Sequence, residues 1–201
     1  SQLVLAGTFF TIISRTLQKN FSQLEVESIE RNIERVKGAF QAEIDNLAVK
    51  LTDWSAWDDT YQFMKDKNPK YAASNLQNEA LKDIKINVII FFDSQGKIFN
   101  FKGYDQTKNA DLSLPPDLAS FFSSHPELLR HNNYYDWHSG LASLPQGPII
   151  FSAQPITTTL KDQPISGTLV FARFIDDEQI ARLSQITHLS LSRPSLPVSS
   201  H

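Results

Sequence analysis

The chain has 201 residues, with 19 Lys and Arg against 22 Asp and Glu, which gives a formal net charge of −3 at pH 7. This length allows one domain with a hydrophobic core plus an extended helix. The balance of charge argues against a nucleic-acid partner, because phosphate backbones attract clustered Lys and Arg. Because the chain has no cysteine, a thiol nucleophile, a disulfide framework and a Cys-based zinc site are excluded.

The chain opens with an apolar run over residues 3–13, followed by Arg15 and Lys19. The run is too short to span a bilayer, which takes about 20 residues. It also lacks the charged leader and cleavage site of a signal peptide. Two interpretations remain, a buried helix start or the outer end of a transmembrane helix. We favour the second for residues 1–14, because the apolar run continues without a break into a long polar helix.

That helix carries a narrow apolar seam whose spacing averages 3.5 residues, the coiled-coil repeat. Since no proline occurs before Pro69, the pattern predicts one helix over residues 15–65. A narrow seam suits a partner helix, which predicts a homodimer through this helix. The alternative is that the whole seam packs inside the domain. The seam consists of Val26, Ile29, Ile33, Val36, Phe40, Ile44, Leu47, Leu51 and Trp54.

The predicted helix ends in the most unusual segment of the chain, residues 53–63, which hold two of the three tryptophans and three acids. On a continuous helix, one face of this segment would carry Trp54, Trp57, Asp58 and Tyr61. Such a face either packs into a core or grips a small ligand. Asp58 keeps the second interpretation open, because a carboxylate among aromatic rings must be paired, hydrogen-bonded or used.

Beyond this segment the chain alternates strand and helix patterns. Asn68-Pro69 ends the helix, and short helical patterns are predicted over residues 71–82, 117–122 and 126–129 and from Asp176 to Leu183. Strands are predicted over residues 86–93, 98–101, 148–158 and 165–174, with 189–191 as a further short strand. Gly96 marks the turn of the first hairpin.

This order predicts an α+β fold in which a long N-terminal helix precedes an antiparallel sheet with helices on one side. Strand pairs divided by helical insertions are typical of PAS-like (Cache-like) sensor sheets. We therefore assign residues 66–191 to a PAS-like domain and residues 192–201, which are rich in Ser and Pro, to a tail.

A set of aromatic, polar and glycine residues surrounds the Asp-Trp and Trp-Asp-Asp motifs of residues 53–59. The set consists of Phe21, Leu24, Glu25, Asn32, Arg35, Val36, Asp53, Trp54, Trp57, Asp58, Asp59, Tyr61, Asn75, Leu76, Asn87, Asp93, Gly96, Gly167 and Arg173. It resembles the CHASE4 domain over roughly residues 20–191. The resemblance implies an extracytoplasmic sensory domain of bacterial histidine kinases and diguanylate cyclases, held between two transmembrane helices.

A ligand site is predicted between the sheet and its covering helices, where small-molecule pockets combine apolar walls with a few polar groups. Trp54, Trp57 and Tyr61 would supply the walls. Asp58 would bind an ammonium group of an amine or amino-acid-like ligand, with cation–π attraction of about 0.5–2 kcal/mol from the tryptophans. The competing interpretation is a structural ion pair between Asp58 and Arg173. Further candidates for the ligand site are Tyr71, Asn75, Asn87 and Arg173.

Other polar groups give weaker indications. His131, Asp136 and His138 lie in a polar segment whose irregular spacing argues against a metal site. Neighbouring Asp58 and Asp59 point about 100° apart on a helix, so they do not form a glycosidase pair. We expect no catalysis, metal or cofactor.

The sequence thus predicts a periplasmic input domain of an inner-membrane receptor. Ligand binding would act through the long helix on a cytoplasmic kinase or cyclic-di-GMP output domain. Flanking transmembrane helices would attach it to the membrane. The alternative is a structural or protein-interaction module without a small-molecule ligand.

Overall fold

A computed structural model describes the backbone of residues 2–192 and the side chains of residues 26–192. Helix α1 spans Gln2–Ser55 and is followed by α2 (Asp58–Asp66), α3 (Pro69–Asn75) and α4 (Asn78–Asp83). The membrane-helix remnant at residues 1–14 and the tail from residue 193 lie outside the described side chains, so both remain predictions. Within the part that is described, no helix is long and apolar enough to cross a bilayer.

The single helix predicted over residues 15–65 is wrong, because the chain bends between α1 and α2. The Ser55 carbonyl accepts the backbone N–H of Thr157 over 2.9 Å and no donor of a continuing helix. Trp57 takes an extended conformation with φ −112° and ψ 133°. A new helix then begins with Asp58 and Asp59, acids that suit the positive end of the helix dipole. Trp54 and Tyr61 therefore do not lie on one continuous helix face.

Six antiparallel strands form one sheet. They are β1 (Val88–Asp93), β2 (Ile98–Asp105), β3 (Ala110–Asp111), β4 (His138–Leu144), β5 (Gly147–Pro155) and β6 (Gly167–Phe174), in the order β3-β2-β1-β6-β5-β4. Between β3 and β4 lie α5 (Pro116–Ser124) and a 3-10 turn (Pro126–Leu129), and α6 (Asp177–Thr187) follows β6. The predicted α+β class, with a long helix before an antiparallel sheet, is confirmed.

The strand predictions differ from the structure in two places. Strand β4 is absent from the prediction, because its small residues, Ser139, Gly140 and Ser143 among them, carry little strand signal. It forms through pairing with β5 across a short turn. No strand occurs at residues 189–191, because α6 continues to Thr187 and the Leu189 N–H closes its last turn on the Ser184 carbonyl.

The sheet is covered on both faces, whereas helices on only one side were predicted. The first face packs against the second half of α1 and against α2, α3, α4 and α6. Its core includes Ile44, Leu47, Leu51, Ile89, Phe91, Ile150, Leu169 and Phe171. The opposite face packs against α5, with Leu118 and Phe122 fully buried on strand residues such as Phe151. Along β5, Ile149, Phe151 and Ala153 share this second face, as predicted.

Candidate functional site

The predicted cavity between the sheet and α1 is filled by two of the residues expected to line it. Trp54 packs edge-to-face on Phe171, with ring centroids 5.7 Å apart. Tyr61 is buried and donates its hydroxyl to the Pro164 carbonyl over 3.0 Å. Tyr61 therefore belongs to the core that joins α1 and α2 to the sheet, and partly buried Trp54 packs against that core.

Asp58 is exposed and does not face the aromatic rings. Its Oδ1 accepts the backbone N–H of Thr159 over 2.8 Å, and Asp58 is the first residue of α2. The carboxylate thus ties α2 to the loop that follows β5. The alternative ion pair between Asp58 and Arg173 is also wrong, since Arg173 has another partner.

Arg173 is buried at the end of β6, where it contacts α1. Its Nη1 donates to Glu43 over 2.9 Å, and Arg182 of α6 donates to the other oxygen of the same carboxylate over 2.6 Å. The Arg173 Nε donates to the Lys85 carbonyl. Burial lowers the pKa of Arg173, and the Glu43 carboxylate opposes that shift. Glu43 therefore holds α1, β6 and α6 together.

Asn87 is buried just before β1 and joins three segments. Its amide donates to the Tyr104 carbonyl over 3.2 Å, and its Oδ1 accepts the Phe174 N–H over 2.9 Å. Because these bonds use both ends of the side-chain amide, the geometry favours a structural role. Neither Asn87 nor Arg173 lines the notch described next.

Three of the predicted residues do meet, in a notch between α2 and α3 that we call the α2–α3 notch. Its volume is about 340 Å³. It is lined by Trp57, Asp59, Gln62, Phe63, Asp66, Asn68, Lys70, Tyr71, Ser74 and Asn75. Trp57, Tyr71 and Asn75 are the predicted members of this set.

The aromatic floor of the notch is built from Tyr71, Phe63 and Trp57. The Tyr71 ring stacks on Phe63 with centroids 4.4 Å apart and lies 6.1 Å from the Trp57 ring. The Tyr71 hydroxyl is 2.7 Å from that of Thr60. Burial raises the pKa of Tyr71 to about 12, and the negative charge of Asp59 adds to the shift. Tyr71 is thus a neutral wall at physiological pH, close to an unneutralised carboxylate.

The two sides of the notch carry different charge. The α2 side presents Asp59 and Asp66, and the α3 side presents Lys70 together with Ser74 and Asn75. Within residues 26–192 no hydrogen bond or ion pair holds the Asp59 carboxylate. Trp57 is 37% exposed, so its ring remains accessible. The notch can therefore receive a ligand that carries an ammonium group at one end and an acceptor group at the other.

Asp59, Asp66 and Lys70 were not predicted as site residues, because a continuous helix places Asp59 on the solvent side. One local signal identifies the α3 wall. Asn68 precedes Pro69 at the first helical position and accepts the Lys70 N–H over 3.0 Å, which is the pattern of an N-capped helix. The signal for α2 is weaker, because Trp57 caps it without a side-chain bond.

A larger hollow of about 920 Å³ lies at another edge of the sheet, bordered by Asn87, the β2–β3 loop and the start of α6. Two of the acidic groups that line it, Asp105 and Asp176, are engaged in local structure. Asp105 accepts the N–H groups of Thr107 and Lys108, and the bond from Lys108 is the main cause that lowers the pKa of Asp105. Asp176 caps α6 by accepting the Gln179 N–H. We therefore place the candidate site in the α2–α3 notch.

The comparison with protein families gives one match that covers most of the chain, a CHASE4 domain over residues 39–193. A curated relative, the methanogenesis regulatory histidine kinase FilI of Methanothrix harundinacea, is 27% identical over 187 residues. The match covers 92% of this chain and 21% of that protein. The chain thus spans about a fifth of the length of the curated relative.

Two solved structures share the fold. One is a domain of a putative sensory box/GGDEF family protein from Vibrio parahaemolyticus, with a TM-score of 0.55, 14% identity, and coverage of 79% of this chain and 62% of that one. The other is the extracellular domain of the putative histidine kinase vpHK1S-Z8, with a TM-score of 0.51, 14% identity, and coverage of 78% and 60%. At this identity the likeness concerns the PAS-like fold alone.

Proposed function

Because the chain belongs to the CHASE4 domain family, we propose that it is the ligand-sensing input domain of a transmembrane receptor, located on the periplasmic side. The domain would bind its ligand in the α2–α3 notch and would perform no catalysis itself. The whole receptor would carry a kinase or cyclic-di-GMP output domain, as the names of the relatives suggest. Transmembrane helices outside residues 26–192 would attach it to the membrane.

The observation that carries this proposal is the unneutralised Asp59 carboxylate beside the accessible Trp57 ring. A carboxylate next to an aromatic face attracts an ammonium group through charge and through cation–π interaction. On the opposite side, Lys70 offers a positive charge to a carboxylate. These groups support an amine or amino-acid-like ligand. The carboxylate that would hold it is Asp59, one residue after the position that the sequence indicated.

Thermal melts test the site directly. The wild-type chain, Asp59→Asn and Asp58→Asn are melted with and without a panel of primary amines and α-amino acids. A ligand present at 100 times its Kd stabilises the folded protein by about 2.7 kcal/mol. We expect at least one compound to raise the Tm of the wild type and of Asp58→Asn but not that of Asp59→Asn. Asp58→Asn is the matched control, because it changes a neighbouring carboxylate outside the notch.

Two results would contradict the proposal. If no compound of the panel raises the wild-type Tm, the notch does not sense amines or amino acids. If Asp58→Asn loses the response while Asp59→Asn keeps it, the ligand binds on the opposite side of α2. Melts of both variants without ligand show whether either substitution damages the fold.

A second function, association with another copy through α1, is favoured by a separate observation. Val26, Ile29 and Ile33 are 54%, 57% and 48% exposed in the single chain. Large apolar side chains at coiled-coil spacing on an exposed helix suit a second helix of the same kind. We propose that two α1 helices pair in parallel through this segment. Ligand binding would then change the pose of the pair and so reach the output domain.

A further inference from the structure

Strand β4 forms one edge of the sheet, and among residues 26–192 no strand pairs with its outer side. At the other edge, β3 has only two residues and one of them is Asp111. Natural proteins blunt their edge strands with short length, charge, proline or bulges, because free N–H and C=O groups invite another strand. From Ser139 to Leu144, β4 contains neither charge nor proline, and its register with β5 is regular.

The register identifies the free backbone groups. In β5, the Pro148 carbonyl accepts from Ile175, and Ile156, just after the strand, donates to Gly167, so the even-numbered residues bond toward β6. The odd-numbered residues of β5 therefore bond toward β4, where they pair with Gly140 and Ala142. It follows that Ser139, Leu141 and Ser143 direct their N–H and C=O groups outward. No hydrogen bond to these groups occurs within residues 26–192.

An apolar groove of about 520 Å³ runs beside this edge, on the face that α1 covers. Leu141 shares that face, since it lies opposite Ile150 of the same core. The walls of the groove include Val36 and Phe40 of α1 and Ile180 of α6. None of the residues that line the groove is charged. A strand added to β4 would turn alternate side chains toward this groove.

We infer that the β4 edge is a docking site for an extended segment of a partner protein, which adds a seventh strand to the sheet. The main chain of the segment would bond to Ser139, Leu141 and Ser143. Because strand and groove carry no charge, the segment would be uncharged on its docked side, with apolar residues at every second position. This is strand addition, in which backbone bonds give affinity and the groove gives specificity.

A second copy of this chain fits the β4 edge less well than a segment of a partner protein does. The reason rests on the parallel α1 pair proposed above. Helix α1 runs in the same direction as β5, because Phe40 lies near Pro148 and Ser55 near Thr157. A closed two-fold contact would pair β4 with its copy antiparallel. That contact would reverse one α1 relative to the other, and both copies could not then extend toward one membrane.

Amide hydrogen exchange followed by NMR tests the inference on the full chain. The probe is an acetylated and amidated octapeptide of alternating Thr and Val. We expect saturating peptide to slow exchange at Ser139, Leu141 and Ser143 by at least about tenfold. The amides of Gly140 and Ala142 should not change, because they already bond to β5. The control peptide is N-methylated at every residue, which removes the donors on both of its edges.

Leu141→Lys places a charge on the edge and should abolish the protection. Leu160→Lys is the matched control, because Leu160 is 81% exposed in the loop after β5, and it should leave the protection intact. Absence of protection, equal protection by the methylated peptide, or equal loss in both variants would overturn the inference. So would a dimer of the free chain that Leu141→Lys separates in sedimentation, because the edge would then belong to a second copy.

Discussion

The two halves of the α1 seam have the same spacing and opposite environments. In the first half, which we call the stalk, Val26, Ile29 and Ile33 are each about half exposed. In the second half, the docked half, Leu47 and Leu51 are completely buried against the sheet. A heptad-like pattern therefore identifies a helix with one apolar side, but it does not identify what covers that side.

The point of change coincides with an irregularity in the pattern. The spacing is four residues twice in succession, from Val36 to Phe40 and from Phe40 to Ile44. At that point Glu43 joins α1 to β6 and α6. A four-residue insertion shifts the phase of a coiled-coil seam. The stutter thus marks where the exposed part of the seam ends and where α1 begins to pack on its own domain.

The largest expected difference between the halves concerns two glutamates. Glu43→Gln removes the charge that neutralises buried Arg173, and we expect it to lower the free energy of unfolding by about 3–5 kcal/mol. Glu34→Gln, on the stalk, breaks an exposed pair with Lys37 and should cost less than about 1 kcal/mol. Urea denaturation of both variants measures the difference. Equal effects would show that Glu43 does not hold the docked half.

Truncating an apolar side chain should also lower the free energy of unfolding more in the docked half than in the stalk. Leu47→Ala leaves a cavity in the core and should lower the free energy of unfolding by about 2–5 kcal/mol. Ile29→Ala removes an exposed side chain and should cost less than about 0.5 kcal/mol when the protein is dilute enough to be monomeric. The measurement is again urea denaturation. A large loss for Ile29→Ala at low concentration would mean that the stalk packs within its own chain.

Alkaline pH should weaken the packing of the docked half and leave the stalk unchanged. The reason is that Tyr71 belongs to the core against which Leu47 and Leu51 pack. Its pKa is raised to about 12 in the folded protein, whereas an unfolded tyrosine titrates near 10. The unfolded state therefore loses its proton first, and stability falls as the pH rises from about 10 to 12, by about 2–3 kcal/mol.

Tyr71→Phe is the control, because it removes this titration. We expect the variant to lose less stability than the wild type over the same pH range. Absorbance at the tyrosinate band gives the pKa directly. A Tyr71 that titrates near 10 in the folded protein would contradict its place in the core.

The smallest effect on folding, with the largest effect on assembly, is expected for Ile33→Glu. The substitution places a charge in the proposed pair of stalks, so it should convert a dimer into a monomer without lowering the monomer's stability. Ile44→Glu should instead unfold the domain, because Ile44 is buried in the docked half. Sedimentation gives the mass and circular dichroism gives the fold. An unchanged dimer in Ile33→Glu would exclude the stalk interface.

Local chemistry was sufficient to predict several elements. The apolar run before Asp93 predicts β1, and the turn at Gly96 is confirmed by a φ of +77° and by the bond between the Asp93 N–H and the Lys97 carbonyl. Strand β4 could not be predicted, because its residues form a strand only through pairing with β5. The break at Ser55 was equally hidden, since the competing donor, Thr157, lies about a hundred residues further along the chain.

The sequence by itself determined the long helix, the apolar strands and the family motif around Trp54 and Trp57, because these depend on side-chain type and short-range spacing. Only the tertiary structure decided which groups of that motif are free. Before the bend, Trp54 packs on Phe171 at the end of α1, and after it Asp58 accepts a bond from Thr159. The same bend leaves Asp59 in a notch with Tyr71, because a helix that restarts at a new angle changes which face of the motif meets the sheet.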